Sequence, residues 1–128
     1  MYVDNELIFF NDTAVAAKVD STVLDLGTTG GWVHPLYIDV KLSNPVTSGT
    51  VDTITLQSSD TKAFTSPVDE VTITVPKSID QKAHAATLAQ FFAPIKTGNR
   101  YVRLEVKGTT PAGGKLYACL VNGVSVGM

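Results

Sequence analysis

The sequence predicts a single all-β domain of about seven to eight strands. Three observations carry that prediction. Valine and threonine each occur 16 times in 128 residues, a quarter of the chain. Both are branched at Cβ, which restricts χ1 and suits a pleated strand better than a helix. Apolar and polar residues alternate in run after run, the period of a strand with one face buried and one wet. Ten glycines and six prolines divide these runs and supply turns. Strands at that spacing build a sandwich or a barrel, and two packed sheets are the favoured arrangement.

From the N-terminus, residues 1–12 read as an arm outside one domain over 13–128. A polar lead runs into Leu7-Ile8-Phe9-Phe10, which precedes the first clean strand. So apolar a run must be buried, on its own sheet or on another subunit, and exposed runs of this kind mark interfaces. Residues 14–19 are a weak strand candidate. In 22–26, Leu24 and Leu26 point inward ahead of Gly27. In 35–42, Leu36, Ile38, Val40 and Leu42 share one face, and Tyr37, Asp39 and Lys41 the other. Ile54 and Leu56 are the inward residues of 53–58; Val71, Ile73 and Val75 are those of 70–75. Residues 79–86 are the one helix-like stretch, short enough to be a loop. Residues 88–93 form a short strand carrying Phe91 and Phe92. In 100–107, Val102, Leu104 and Val106 point in, while Tyr101, Arg103, Glu105 and Lys107 form a wet face. Residues 115–121 are apolar on both faces, as in a strand that is central or meets a partner chain. Turns are expected at 27–31, 44–49, 58–67, 97–99 and 108–114.

Composition narrows the function. The net charge of -2 and the presence of only two arginines, Arg100 and Arg103, argue against a nucleic-acid surface. No apolar run approaches the roughly 20 residues of a membrane span. The acids Asp4 and Glu6 near the start do not fit a secretory signal. The single cysteine excludes an internal disulfide and a cysteine metal cluster.

Candidate chemistry is sparse. His34 and His84 read as polar loop residues, since no spacing of His, Cys and carboxylate suits a metal. Cys119 lies mid-strand, where a thiol behaves as a small hydrophobe. Asp25, Asp39 and Asp52 read as members of solvated faces. Ser58-Ser59-Asp60-Thr61 looks like a turn with local side-chain bonds to the backbone. Gly30-Gly31 and Gly113-Gly114 match no phosphate-binding motif. Trp32, beside Gly31, reads as a core plug or a partner anchor before a sugar platform.

In order along the chain come Asp4-Asn5 to Phe10-Asn11-Asp12, Val23-Leu24-Asp25-Leu26-Gly27 and Pro35-Leu36-Tyr37. Then follow Leu56-Gln57-Ser58-Ser59-Asp60 to Phe64-Thr65-Ser66-Pro67-Val68, Arg100-Tyr101-Val102-Arg103-Leu104, and Ala112-Gly113-Gly114 to Leu120. This series resembles the capsid cement (decoration) proteins of tailed bacteriophages, of the Bordetella-phage type, over nearly the whole chain. The 77–86 stretch and the Gly30-Gly31-Trp32 turn depart from it. The resemblance implies a jelly-roll-like antiparallel β-sandwich on the outer surface of a virion capsid, after synthesis in the host cytoplasm. It implies clamping of neighbouring major capsid proteins against genome pressure, and a homo-oligomer, dimer or trimer, at capsid symmetry axes. It implies no enzymatic activity and no cofactor, and neither nucleic acid nor membrane as a partner.

The expected contact residues, with the shell or with a sister copy, are Leu7, Ile8, Phe9, Phe10, Trp32, Tyr101, Arg103 and Glu105. The competing reading is a carbohydrate-binding β-sandwich module of a phage fibre or secreted protein. It wants several aromatics on one exposed face, whereas the chain has one tryptophan and scattered tyrosines.

Overall fold

The computed structural model describes residues 8–25, 36–82, 86–93 and 99–121. They contain nine strands: β1 (Ile8–Ala14), β2 (Lys18–Asp20), β3 (Leu24–Asp25), β4 (Leu36–Asn44), β5 (Ser48–Ser59), β6 (Val68–Thr74), β7 (Thr87–Ala93), β8 (Tyr101–Ala112) and β9 (Lys115–Val121). All pair antiparallel, in two sheets. The four-stranded sheet has the order β1-β9-β4-β7. The five-stranded sheet has the order β2-β8-β5-β6, with β3 also on β8. β2 lies against residues 105–107 and β3 against 101–102, so they are two pieces of one interrupted edge. The chain changes sheet at nearly every connection. Among the described residues no helix is long and apolar enough to cross a membrane.

One cluster of buried side chains draws on both sheets. Phe10, Ile38, Val40, Leu116 and Ala118 come from the first; Ile54, Leu56, Val102, Leu104 and Val106 from the second. Of the inward residues expected from alternation, Ile38, Val40, Ile54, Leu56, Val102 and Leu104 are fully buried, Val71 and Ile73 are half-buried, and Leu26 lies outside the described residues. β9, apolar on both faces, is a central strand between β1 and β4.

Two expectations are corrected, and a third, left open, is decided. Residues 8–12 are not an arm: they belong to β1, which pairs with β9, for example Phe10 with Ala118. Phe9 and Phe10 are 2% and 1% exposed, inside the core. Two register shifts let both aromatics turn inward despite being adjacent. Alternation missed the strand because a bulged strand does not alternate. Second, residues 108–112 are strand and not turn. Pro111 is tolerated because the register of β8 with β5 shifts between Ser48 and Thr50, where a missing N–H leaves no ladder position empty. The turn is confined to Gly113-Gly114, and Gly113 (φ +81°) has no room for a Cβ beside Thr47. Third, of the helix and loop readings of 79–86, the loop holds over the described residues, 79–82 and 86. Gln81 is buried there and acts as a strand neighbour: its amide donates to the Val51 carbonyl (2.9 Å) and accepts from the Val51 N–H (2.7 Å). This occupies the backbone of β5 where the ladder to β8 shifts.

Candidate functional site

The motif residues singled out in the sequence lie far apart in the chain, yet several meet at one end of the five-stranded sheet. β3, the end of β5 and the start of β8 are neighbours there. Arg100 makes a bidentate pair with Asp25, Nε to Oδ1 at 2.6 Å and Nη2 to Oδ2 at 2.8 Å. Its guanidinium also lies 5.3 Å from the Tyr101 ring centroid. Arg103 sits 4.5 Å over the ring of Phe64. Its Nε donates to Gln57 Oε1 (2.9 Å), and the Gln57 amide donates to Asp69 Oδ1 (2.9 Å). Nη1 of Arg103 lies 3.9 Å from Asp20 Oδ2. Asp20, Arg103, Gln57 and Asp69 thus form a polar row across β2, β8, β5 and β6. A second row holds Glu105 between Lys18 (3.5 Å) and Lys107 (3.4 Å). Cross-strand pairs of this kind tie a sheet face together. Glu105 and Gln57 are 8% and 7% exposed.

From residues 60–67, Phe64 meets this face through Arg103. Phe64 has φ 55°, a left-handed conformation that is sterically unfavourable for a bulky L-residue. Burial offsets the strain: Phe64 is 7% exposed and covered by Arg103. Its N–H donates to the Thr61 carbonyl (3.1 Å), and the Thr61 N–H donates to Ser59 Oγ (3.2 Å). The expected side-chain-to-backbone turn therefore exists, built by Ser59 and Thr61. The signal for Phe64 in the sequence was a lone aromatic within a polar turn.

Ser58 points the other way. Its Oγ donates to Glu70 Oε2 (2.6 Å) and accepts from Asn99 Nδ2 (3.0 Å). A hydroxyl donating to a carboxylate is the local pattern of an activated nucleophile. Here Ser58 is fully buried, so its Oγ is closed to a substrate. Alternation placed a serine at this inward position without showing that it needed polar partners.

The outer face of the four-stranded sheet carries Asp39 beside Cys119. Asp39 Oδ1 is buried without a hydrogen-bond partner, so one oxygen of this half-buried carboxylate departs from the solvated group expected. Burial pushes the Cys119 thiol above its ordinary pKa, and the Asp39 charge pushes it further the same way. Lys41 lies 5.3 Å from the Tyr117 ring centroid. At the far end of β5, Asp52 accepts from Thr109 and Thr50, and those bonds hold its carboxyl below the usual range. A hollow of about 250 Å³ beside it is lined by Thr50, Val75, Lys77 and Gln81 among others.

Of the expected contact residues, Tyr101, Arg103 and Glu105 share the outer face of β8. Arg103 and Glu105 are engaged in the polar rows, and Tyr101 is half-buried. Ile8 is half-buried on β1, and Phe9 and Phe10 are core. Leu7 and Trp32 lie outside the described residues, as do His34 and His84. Among the described residues no three His, Cys, Asp or Glu gather in a metal-binding group. Comparisons with protein-family models and with curated proteins find no match to this chain.

Proposed function

We propose that the protein is a jelly-roll-like sandwich that cements a phage capsid. It binds the outer surface of the icosahedral shell and clamps neighbouring major capsid proteins. The observation that carries the reading is the contact between motif residues of the resemblance. Asp25 meets Arg100, and Arg103 meets Phe64, joining pieces separated by up to 75 positions. The strand orders support the same reading. With β2 and β3 counted as one interrupted strand, the chain changes sheet at every connection but β5 to β6, which supports a jelly-roll reading.

The end holding Tyr101 and Arg103 is the surface we assign to the shell. Its polar groups are pre-paired, so little side-chain freedom is lost on docking. Each copy adds area that must be exposed before capsid proteins separate, and many symmetric copies make modest contacts strong together. The test is addition of the purified protein to preformed capsids lacking it. Binding and a higher disruption temperature are expected, with both weakened by Tyr101→Ala. Absence of binding, with retention on a glycan array, would move the assignment to a carbohydrate-binding module.

A further inference from the structure

Ser58 occupies a core position. It follows Ile54 and Leu56 on the inward face of β5, pairs with Val102 of β8, and is fully buried. An apolar residue would fill that position without needing partners. Two polar groups are instead brought to the hydroxyl. β6 shifts register between the pairs Leu56–Val71 and Gln57–Asp69, which leaves Glu70 as the extra residue of a bulge. Bulges re-aim side chains, and here Glu70 Oε2 accepts from Ser58 Oγ at 2.6 Å. Asn99, just ahead of β8, donates from Nδ2 to the same Oγ at 3.0 Å. A nucleophile, a base and an acyl group therefore meet at one buried oxygen. Burial closes that oxygen to substrates from solution, but Asn99 already touches it.

We propose that Ser58 and Asn99 form a cross-linking site, at which the protein joins its own chain by an ester between Ser58 Oγ and Asn99 Cγ. Glu70 Oε2 takes the hydroxyl proton as Oγ attacks Cγ, the carbon one bond beyond the contacting nitrogen. The Oγ–Cγ bond forms and the carbonyl electron pair moves to Oδ1. When that pair returns, the Cγ–Nδ2 bond breaks, and Glu70 gives its proton to the nitrogen, which leaves as ammonia. Nothing is oxidised or reduced, and no further reactant enters. Fixed contact supplies the proximity that a free alcohol and amide lack. Burial of Oγ keeps water from the ester. The bond closes residues 58–99, with β6 and β7, into one covalent loop, in a chain whose single cysteine excludes a disulfide. It forms in the isolated chain, with no shell present.

Intact-mass spectrometry of the purified full chain tests the proposal. The wild type should weigh one ammonia less than its sequence requires. Trypsin should release residues 42–62 joined to residues 97–100, and hydroxylamine, which cleaves esters, should separate the two. Glu70→Gln removes the base while keeping the side chain's shape, and Ser58→Ala removes the nucleophile. Each should restore the full mass. Ser58→Ala leaves a small apolar residue in the core, so it serves should Glu70→Gln not fold. A wild type of full sequence mass overturns the proposal. So does a loss of ammonia without the joined peptides, which marks a succinimide within one peptide. A cross-link that survives Glu70→Gln overturns it as well.

Discussion

Asp39 and Asp52 show how differently two strand carboxylates can stand in one small protein. Both come from polar positions of alternating runs, and both read as solvated. Asp52 accepts from two threonine hydroxyls, which favour its charged form. Its folded pKa therefore lies below the unfolded value of about 3.9. The folded state binds this proton less readily, so the stabilisation is complete above that value and is lost as pH falls through the folded pKa. Asp52→Asn should flatten the acid limb of stability against pH, read by thermal melts between pH 5 and pH 2, by lowering the melt at pH 5 and above while leaving the melt near pH 2 nearly unchanged. Asp39 has one buried oxygen without a partner, on a sheet face beside a buried thiol. An unsatisfied buried polar atom costs about 1–3 kcal/mol. Asp39→Val removes that cost and adds a good strand former, so its melting temperature should match or exceed the wild type's. A clear drop would mean that the carboxylate is satisfied in solution.

The strands divide into those that alternate and those that bend. β4, residues 53–58 of β5 and residues 101–107 of β8 alternate, and their inward residues could be named from the sequence. β1 and β2 could not, although Leu24 of β3 was expected to point inward and is buried. β1 is bulged so that Phe9 and Phe10 both reach the core, and β2 is too short to show a period. The consequence is mechanical. Removing residues 1–10 should abolish the β-sheet circular dichroism signal, because it strips two core aromatics and uncovers the edge of β9. Phe10→Ala alone should cost about 3–5 kcal/mol in chemical denaturation. Retention of a native melt after the deletion would restore the arm reading. The end of β8 carries the same lesson. Gly108 and Pro111 look like turn residues, yet β5 accommodates them by shifting register.

Across the whole molecule, β1 pairs with β9 and β2 with β8, so early strands meet late ones. Few contacts can form before distant segments meet, and such topologies fold slowly, in milliseconds to seconds. Stopped-flow refolding should fall in that range, and a microsecond phase carrying the full amplitude would contradict it. The all-β class, the inward face of each regular strand and the scarcity of charge were legible in the chain, because alternation and branching are local properties. The burial of Glu105 and the strained Phe64 under Arg103 were not. Each depends on what another segment brings to the same place. The composition that first pointed to strands, a quarter valine and threonine, sets what every segment can become. The choice of neighbours belongs to the fold, because hydrogen-bond ladders and core packing are satisfied only between residues far apart in the chain.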